Sequence, residues 1–164
     1  MQIARSGILV QKKGGNMEYI NGYKTMLVCE ETKIPQFKIV SPEDVIRLMV
    51  DEYDMDKLMT EEIWALFTDV KGYVVGIEQI SKGGLSSAIC EPRSIFVPAF
   101  HSNAFGVALV HNHPSGDPTP SREDRELTHK IVECSKILGF TMLDHIVIAR
   151  NDNYSFMEHD CLHV

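Results

Sequence analysis

Fourteen residues, His111 to Asp124 (HNHPSGDPTPSRED), narrow what this chain can fold into more than any other stretch. They open with two imidazoles two residues apart and close with an acid three residues after a serine; three prolines and a glycine lie between. The apolar run Phe105 to Val110 (FGVALV) just before them predicts a buried strand. Pro114, Pro118 and Pro120 with Gly116 neither continue a strand nor enter a helix interior, so they form a loop. From Ser121 the period changes. Leu127, Ile131, Cys134 and Leu138 recur at helical spacing, and Gly139 stands where a C-cap glycine belongs. The stretch reads strand, loop, helix, with polar residues gathered where the strand ends and the helix begins. Open α/β sheets build their sites there.

The residue types suggest a metal. Alternate residues of a strand point to the same side, so His111 and His113 can face one point. Asp124 lies three residues before Leu127 and seven before Ile131, which puts it on the inward face of the helix in its first turn. The helix dipole favours an anion there. Two neutral imidazoles and one carboxylate make three ligands, and a zinc ion held by three protein ligands keeps a fourth position for water. Ser121 and Asp124 also form S-x-x-D, close to a capping box, so the serine has a helix-starting role available beside any chemical one.

At 164 residues the chain is expected to form one domain with a real core. Its net charge of −7 weighs against gripping nucleic acid through a broad basic surface, although a local basic patch stays open. Cys29, Cys90, Cys134 and Cys161 are far apart and form no C-x-x-C, which reads as reduced thiols in a cytoplasmic protein. No segment is apolar for long enough to span a membrane.

Along the chain, residues 1–17 read as a flexible N-terminal extension containing K-K-G-G-N, and residues 18–164 as a single domain. T-M-L-V-C predicts a strand, and Ile34 to Val40 a short extended piece. Ser41-Pro42-Glu43-Asp44 is a helix start, with Val45, Leu48 and Met49 as the buried stripe. Asp51 to Met59 predicts a turn with a short helix. Glu62 to Asp69 and Tyr73 to Ile80 predict a hairpin about Val70-Lys71-Gly72. Glu78 is the charged residue within the second of these strands, and by pattern alone it fits an exposed edge. Glu91 precedes Pro92, where helix capping accounts for it, and Pro92 to Ser102 predicts a helix despite Pro98. Phe140 to Ala149 carries a buried strand, and Tyr154 to Met157 a last one. His145, just before Ile146, is expected to be hydrogen-bonded in the structure rather than a direct ligand.

H-x-H, seven residues, Ser, two residues, Asp is the JAMM motif of the JAB/MPN metalloprotease family, matched here by His111, His113, Ser121 and Asp124. The longer string HNHPSGDPTPSREDRE, with LDHIVIA at Leu143 to Ala149, resembles the RadC-like bacterial branch over roughly Pro42 to Glu158. The letters H-N-H do not make an HNH nuclease, whose residues spread over a ββα-metal unit, and the zinc deaminase signature H-x-E with P-C-x-x-C is absent. The resemblance implies an α/β fold with a mixed β-sheet flanked by helices, of the cytidine-deaminase-like JAB/MPN architecture. It implies one zinc ion on His111, His113 and Asp124, with a catalytic water as fourth ligand. It also places an upstream glutamate on the strand before the H-x-H element, and G-I-E-Q-I-S-K-G assigns that role to Glu78.

The implied activity is that of a JAMM-type zinc metallopeptidase. Glu78 would act as general base and acid, and Ser121 would donate a hydrogen bond to the oxyanion. The expected partner is a peptide or protein, with a ubiquitin-like tail as one form. Two other readings stay open, a DNA repair or recombination accessory and a catalytically silent JAB scaffold. The full-length RadC-like form carries an N-terminal helix-hairpin-helix region, which has no room before Pro42, so the chain resembles the isolated catalytic domain. The segments Pro114 to Pro120 and Lys82 to Ile89 are expected to line the cleft.

Overall fold

A computed structural model describes residues 37–83 and 90–162, with the backbone of residues 9–10 and 18–19. The two short backbone pieces are β1 (Leu9–Val10) and β2 (Glu18–Tyr19), paired antiparallel within a compact unit Met1–Glu31. The strand expected at T-M-L-V-C lies outside the described residues, as does the start of the piece Ile34 to Val40.

The second unit, Thr32–Val164, holds α1 (Pro42–Tyr53), β3 (Glu62–Thr68), β4 (Val74–Lys82), α2 (Pro92–His101), β5 (Gly106–Asn112), α3 (Arg122–Leu138), β6 (Thr141–Ile148) and β7 (Asn153–Ser155). Five strands form one sheet in the order β4-β3-β5-β6-β7. β3 runs antiparallel to both β4 and β5, β5 parallel to β6, and β6 antiparallel to β7. This is the mixed α/β sheet the sequence predicts. No helix among the described residues is long and apolar enough to cross a membrane.

Side-chain alternation along the central strands sorts the core into two layers. Ile63, Ala65 and Phe67 of β3, with Val107 and Leu109 of β5, pack with Ile95, Phe96, Leu127 and Ile131 of α2 and α3. Leu66, Ala108, Val110, Ile146 and Ile148 face the other way, onto Val45, Leu48 and Met49 of α1. β5 sits mid-sheet with helices on both faces, and all seven of its residues are buried. The strand extends two residues beyond its apolar run, so His111 and Asn112 are strand residues. By parity His111 shares the α3 face with Leu109, and Asn112 shares the α1 face with Val110.

The helix ends follow local chemistry. The Asp44 carboxylate accepts the N–H groups of Val40 and Ser41 at 2.9 and 3.1 Å, closing the start of α1. α1 stops where Asp54 turns left-handed (φ 51°), and a turn follows in place of the short helix expected before Met59. α3 starts at the Ser121 cap and stops at Gly139 (φ 81°). Its buried stripe runs through Asp124, Leu127, Thr128, Ile131, Val132 and Ser135. Leu138, expected on that stripe, is 42% exposed at the outer end.

β5 begins at a glycine because the neighbouring strands leave no room for a side chain. A Cβ on Gly106 would lie 2.6 Å from Thr68 Oγ1 and 2.9 Å from Leu143 Cδ1. Gly106→Ala is expected to destabilise the protein by about 1–3 kcal/mol through overpacking, read as a lower urea midpoint with unchanged slope.

Candidate metal centre

The polar end of β5 gathers the expected ligands. His111 on β5 is fully buried, and His113 lies just beyond the strand end, with its side chain 15% exposed. Their Nε2 atoms stand 3.0 Å apart. Asp124, on the first turn of α3, places Oδ1 3.2 Å from His111 Nε2 and Oδ2 3.5 Å from His113 Nε2. Glu61, immediately before β3, joins them; one ligand atom from each of the four residues lies within 4.8 Å of the others.

This donor set fits a zinc ion. Bonds of about 2.1 Å to one ion would set tetrahedral donors roughly 3.4 Å apart, close to the 3.0 Å between the two Nε2 atoms and the 3.2 Å from His111 Nε2 to Asp124 Oδ1. Asp124 Oδ1 is buried and has no hydrogen-bond partner. His113 Nδ1 is 2.7 Å from the carbonyl oxygen of Asp117, which can only accept, so Nδ1 carries the proton and Nε2 offers its lone pair to the cluster.

Ser121 shapes the carboxylate. Its N–H and its hydroxyl both donate to Asp124 Oδ2 at 2.7 Å, and its Oγ accepts the Asp124 N–H at 3.1 Å. The S-x-x-D signal is therefore a closed capping box. It holds Oδ2, which also lies 3.5 Å from His113 Nε2, and leaves Oδ1 facing His111. Burial pushes the Asp124 carboxyl up, but the two imidazoles and the Ser121 hydroxyl outweigh it and hold the group well below the usual carboxylate range. Asp124 beside His113 in turn raises that imidazole, against the opposing effect of burial.

The expected glutamate, Glu78, is not among the residues brought to the cluster. Glu78 is exposed on edge strand β4, opposite Ala65, which pairs with Leu109. It is two strands from β5, roughly 10 Å at about 4.8 Å per strand, and it is not level with His111. The acid brought to the cluster is Glu61, whose parity with Ile63 turns it to the α3 face. Antiparallel pairing carries the start of β3 to the end of β5, so an acid at the head of β3 reaches the cluster and one inside β4 does not. The signal was the Thr60-Glu61-Glu62 lead into the apolar strand.

Asn112 anchors that lead. Its side-chain NH2 donates to the carbonyls of Thr60 at 3.1 Å and Leu58 at 3.3 Å, and its Oδ1 accepts the Glu62 N–H at 2.8 Å. The peptide groups on both sides of Glu61 are thus fixed by the residue between the two histidines. Glu62 is the mirror case. It is 3% exposed, and its carboxylate is held by Lys82 Nζ at 2.9 Å, Trp64 Nε1 at 3.0 Å and the Gln79 amide.

His145 lies behind His111. It is fully buried, with Nε2 2.9 Å from His111 Nδ1 and Nδ1 2.6 Å from Thr128 Oγ1. Burial pushes its imidazole well below the ordinary value. Glu91 is the N-cap of α2 by position, yet its side chain makes no cap bond and meets Lys130 Nζ at 3.3 Å. His101, His129 and His159 are exposed and outside the cluster. Residues 114–120 continue directly from His113, whereas the other expected cleft segment beyond Gly83 lies outside the described residues up to Ile89.

Two expectations follow. Asn112→Ala strands buried backbone groups beside Glu61 and should lower stability by about 1–3 kcal/mol per unpaired group, measured by urea unfolding. Zinc uptake must also displace the proton that Asp124 favours on His113. That imidazole is raised, so zinc affinity should still be climbing with pH above the ordinary value of about 6.5. Chelator competition across that range would show a plateau already at that value if the proton were not in the way.

The model of the RadC-like JAB domain family matches residues 39–161. A UPF0758 protein of Caldanaerobacter subterraneus is 44% identical over 127 residues, 77% of this chain and 54% of the relative. One from Clostridium perfringens is 41% identical over 140 residues, 85% and 60% of the two chains, and one from Bacillus cereus 42% over 123 residues, 75% and 54%. The chain spans about half to three fifths of the length of these curated relatives. Glu61, His111, His113, Ser121 and Asp124 all fall within the matched region, and this chain belongs to the RadC-like JAB domain family.

Proposed function

We propose that this chain is a zinc-dependent hydrolase of peptide or isopeptide bonds, with His111, His113 and Asp124 holding the ion and Glu61 moving the proton. The observation that carries this reading is the convergence of three ligand atoms with a second carboxylate, that of Glu61, within 4.8 Å. Zinc held there would supply a water acidified to a pKa of about 7 and would polarise the scissile carbonyl. Glu61 would take the proton of the attacking water and return it to the departing amine. Asn112 would keep that carboxylate aimed by holding the backbone on either side of it.

Ser121 contributes through Asp124 in this reading. Its single hydroxyl proton is given to Oδ2, so donation to an oxyanion would require the hydroxyl to turn away from the cap. Glu61 and His113 are only partly buried, which suits a polypeptide reaching the cluster from outside. The substrate proposed is therefore an extended peptide or a ubiquitin-like tail. Cys90, Cys134 and Cys161 are free thiols, which supports a reducing, cytoplasmic setting.

The test compares wild type with His113→Ala, Glu61→Gln and Glu78→Ala. About one zinc per chain is expected in all but His113→Ala. On fluorogenic peptides and isopeptide-linked ubiquitin-like conjugates, Glu61→Gln should lose about 10²–10⁴-fold in turnover, and Glu78→Ala should match wild type. Zinc-loaded wild type with no turnover on any of these substrates would sink the hydrolase reading and favour a scaffold or DNA-associated role. An active Glu61→Gln beside an inactive Glu78→Ala would return the base to Glu78.

A further inference from the structure

The geometry points to His145 and Thr128 as positioning residues that set the tautomer of His111, so that its Nε2 lone pair faces the metal. The inference rests on His111 being a ligand, as proposed above. It is read from the direction of a buried hydrogen-bond chain.

The chain has one fixed end. Thr128 Oγ1 is 2.6 Å from the carbonyl oxygen of Asp124, and a carbonyl only accepts. The single hydroxyl proton of Thr128 is therefore committed to that carbonyl. Toward His145 Nδ1, 2.6 Å away, Thr128 can only accept, so Nδ1 of His145 carries the proton. The His145 ring is fully buried, lies flat on Phe156 (9° between planes, centroids 5.0 Å apart) and forms no ion pair among the described residues. An unpaired cation is costly in such a place, so the ring is neutral and its Nε2 is bare. A bare Nε2 accepts, and the partner 2.9 Å away is His111 Nδ1, which must donate. His111 then has its proton on Nδ1 and its lone pair on Nε2, the atom 3.0 Å from His113 Nε2 and 3.2 Å from Asp124 Oδ1.

The backbone holds the relay in place. Asp144 accepts the N–H of His145 at 2.7 Å, and the Phe156 N–H donates to the His145 carbonyl at 3.0 Å. The relay ends on the main chain of Asp124, itself a proposed ligand. β5, β6 and the first turn of α3 are thereby linked on the protein side of the site.

The test uses Thr128→Ser, Thr128→Val and His145→Gln. Valine keeps the shape of threonine and loses the hydroxyl; serine keeps the hydroxyl and loses the methyl. If Thr128 only packs, Val is the better substitute. If it orients the relay, Ser is. Zinc affinity by chelator competition should fall roughly 10–100-fold in Thr128→Val and stay near wild type in Thr128→Ser. His145→Gln, whose carbonyl can accept from His111 and whose amide can donate to Thr128, should retain most of it. Long-range proton–nitrogen NMR of the metal-free protein, taken where the ligand imidazoles are neutral, should show His111 protonated on Nδ1 in wild type and Thr128→Ser. A His111 proton on Nε2 in wild type, or Thr128→Val binding zinc as tightly as wild type, would overturn the inference. Wild type that takes up no zinc yet shows the Nδ1 proton would overturn the metal reading and uphold the tautomer.

Discussion

Everything at this site depends on how β5 is paired. It lies antiparallel to β3 on one side and parallel to β6 on the other. The end of β5 therefore meets the beginning of β3 and the end of β6. His111 stands opposite Ile63 and beside Val147. A slip of one residue in either ladder would send His111 to the α1 face. The register is secured by burial on both faces, because all seven residues of β5 are enclosed and the odd and even sets pack against different helices.

That alternation gives each residue of His111-Asn112-His113 a separate task. The two imidazoles turn to α3 and meet Asp124. The amide between them turns to α1 and reaches the loop that leads into β3. A buried asparagine without partners would cost several kcal/mol. Here its three contacts are all to the main chain around Glu61. The same strand end thus supplies two imidazoles of the cluster and the anchor of the backbone around Glu61.

The strand–loop–helix around the ligands was legible because each boundary has a local chemical cause: prolines exclude regular structure, Ser121 caps, and Gly139 takes the left-handed turn. The convergence of His111, His113 and Asp124 followed from strand and helix periodicity, and the RadC-like resemblance followed from the same residues. The acid partner was not legible in this way. Glu61 leads into an apolar strand and Glu78 sits within one, and which of them reaches the end of β5 depends on the order of strands in the sheet. Strand order is a non-local property that periodicity does not carry. The family resemblance supplied a role without a register, and the residue it was carried to stands on the edge strand, outside the cluster. The short helix expected before Met59 failed for a local reason, the left-handed Asp54. His145 was foreseen as a hydrogen-bonded residue, but its partner Thr128 lies 17 residues earlier on another element.

The protons around the cluster point away from its centre. His113 gives its Nδ1 proton to the Asp117 carbonyl, and Ser121 gives its hydroxyl proton to Asp124 Oδ2. If the relay through His145 runs as inferred, His111 does the same toward the Asp124 main chain. The centre is then lined by two imidazole lone pairs and an unpartnered carboxylate oxygen, all acceptors, with His111 Nε2 within about one hydrogen-bond length of each of the other two. Such an arrangement repels itself until something positive enters. A proton on His113 is one remedy, which is why Asp124 raises that imidazole; a divalent cation is the fuller one, because it can meet all three lone pairs at once. The packing that forces these acceptors together costs stability in the metal-free state. Binding of a cation to the folded state alone would recover it. In that sense the affinity of the centre for a cation would be set by the register of β5 and by the direction of its hydrogen bonds as much as by the identity of the residues that converge there.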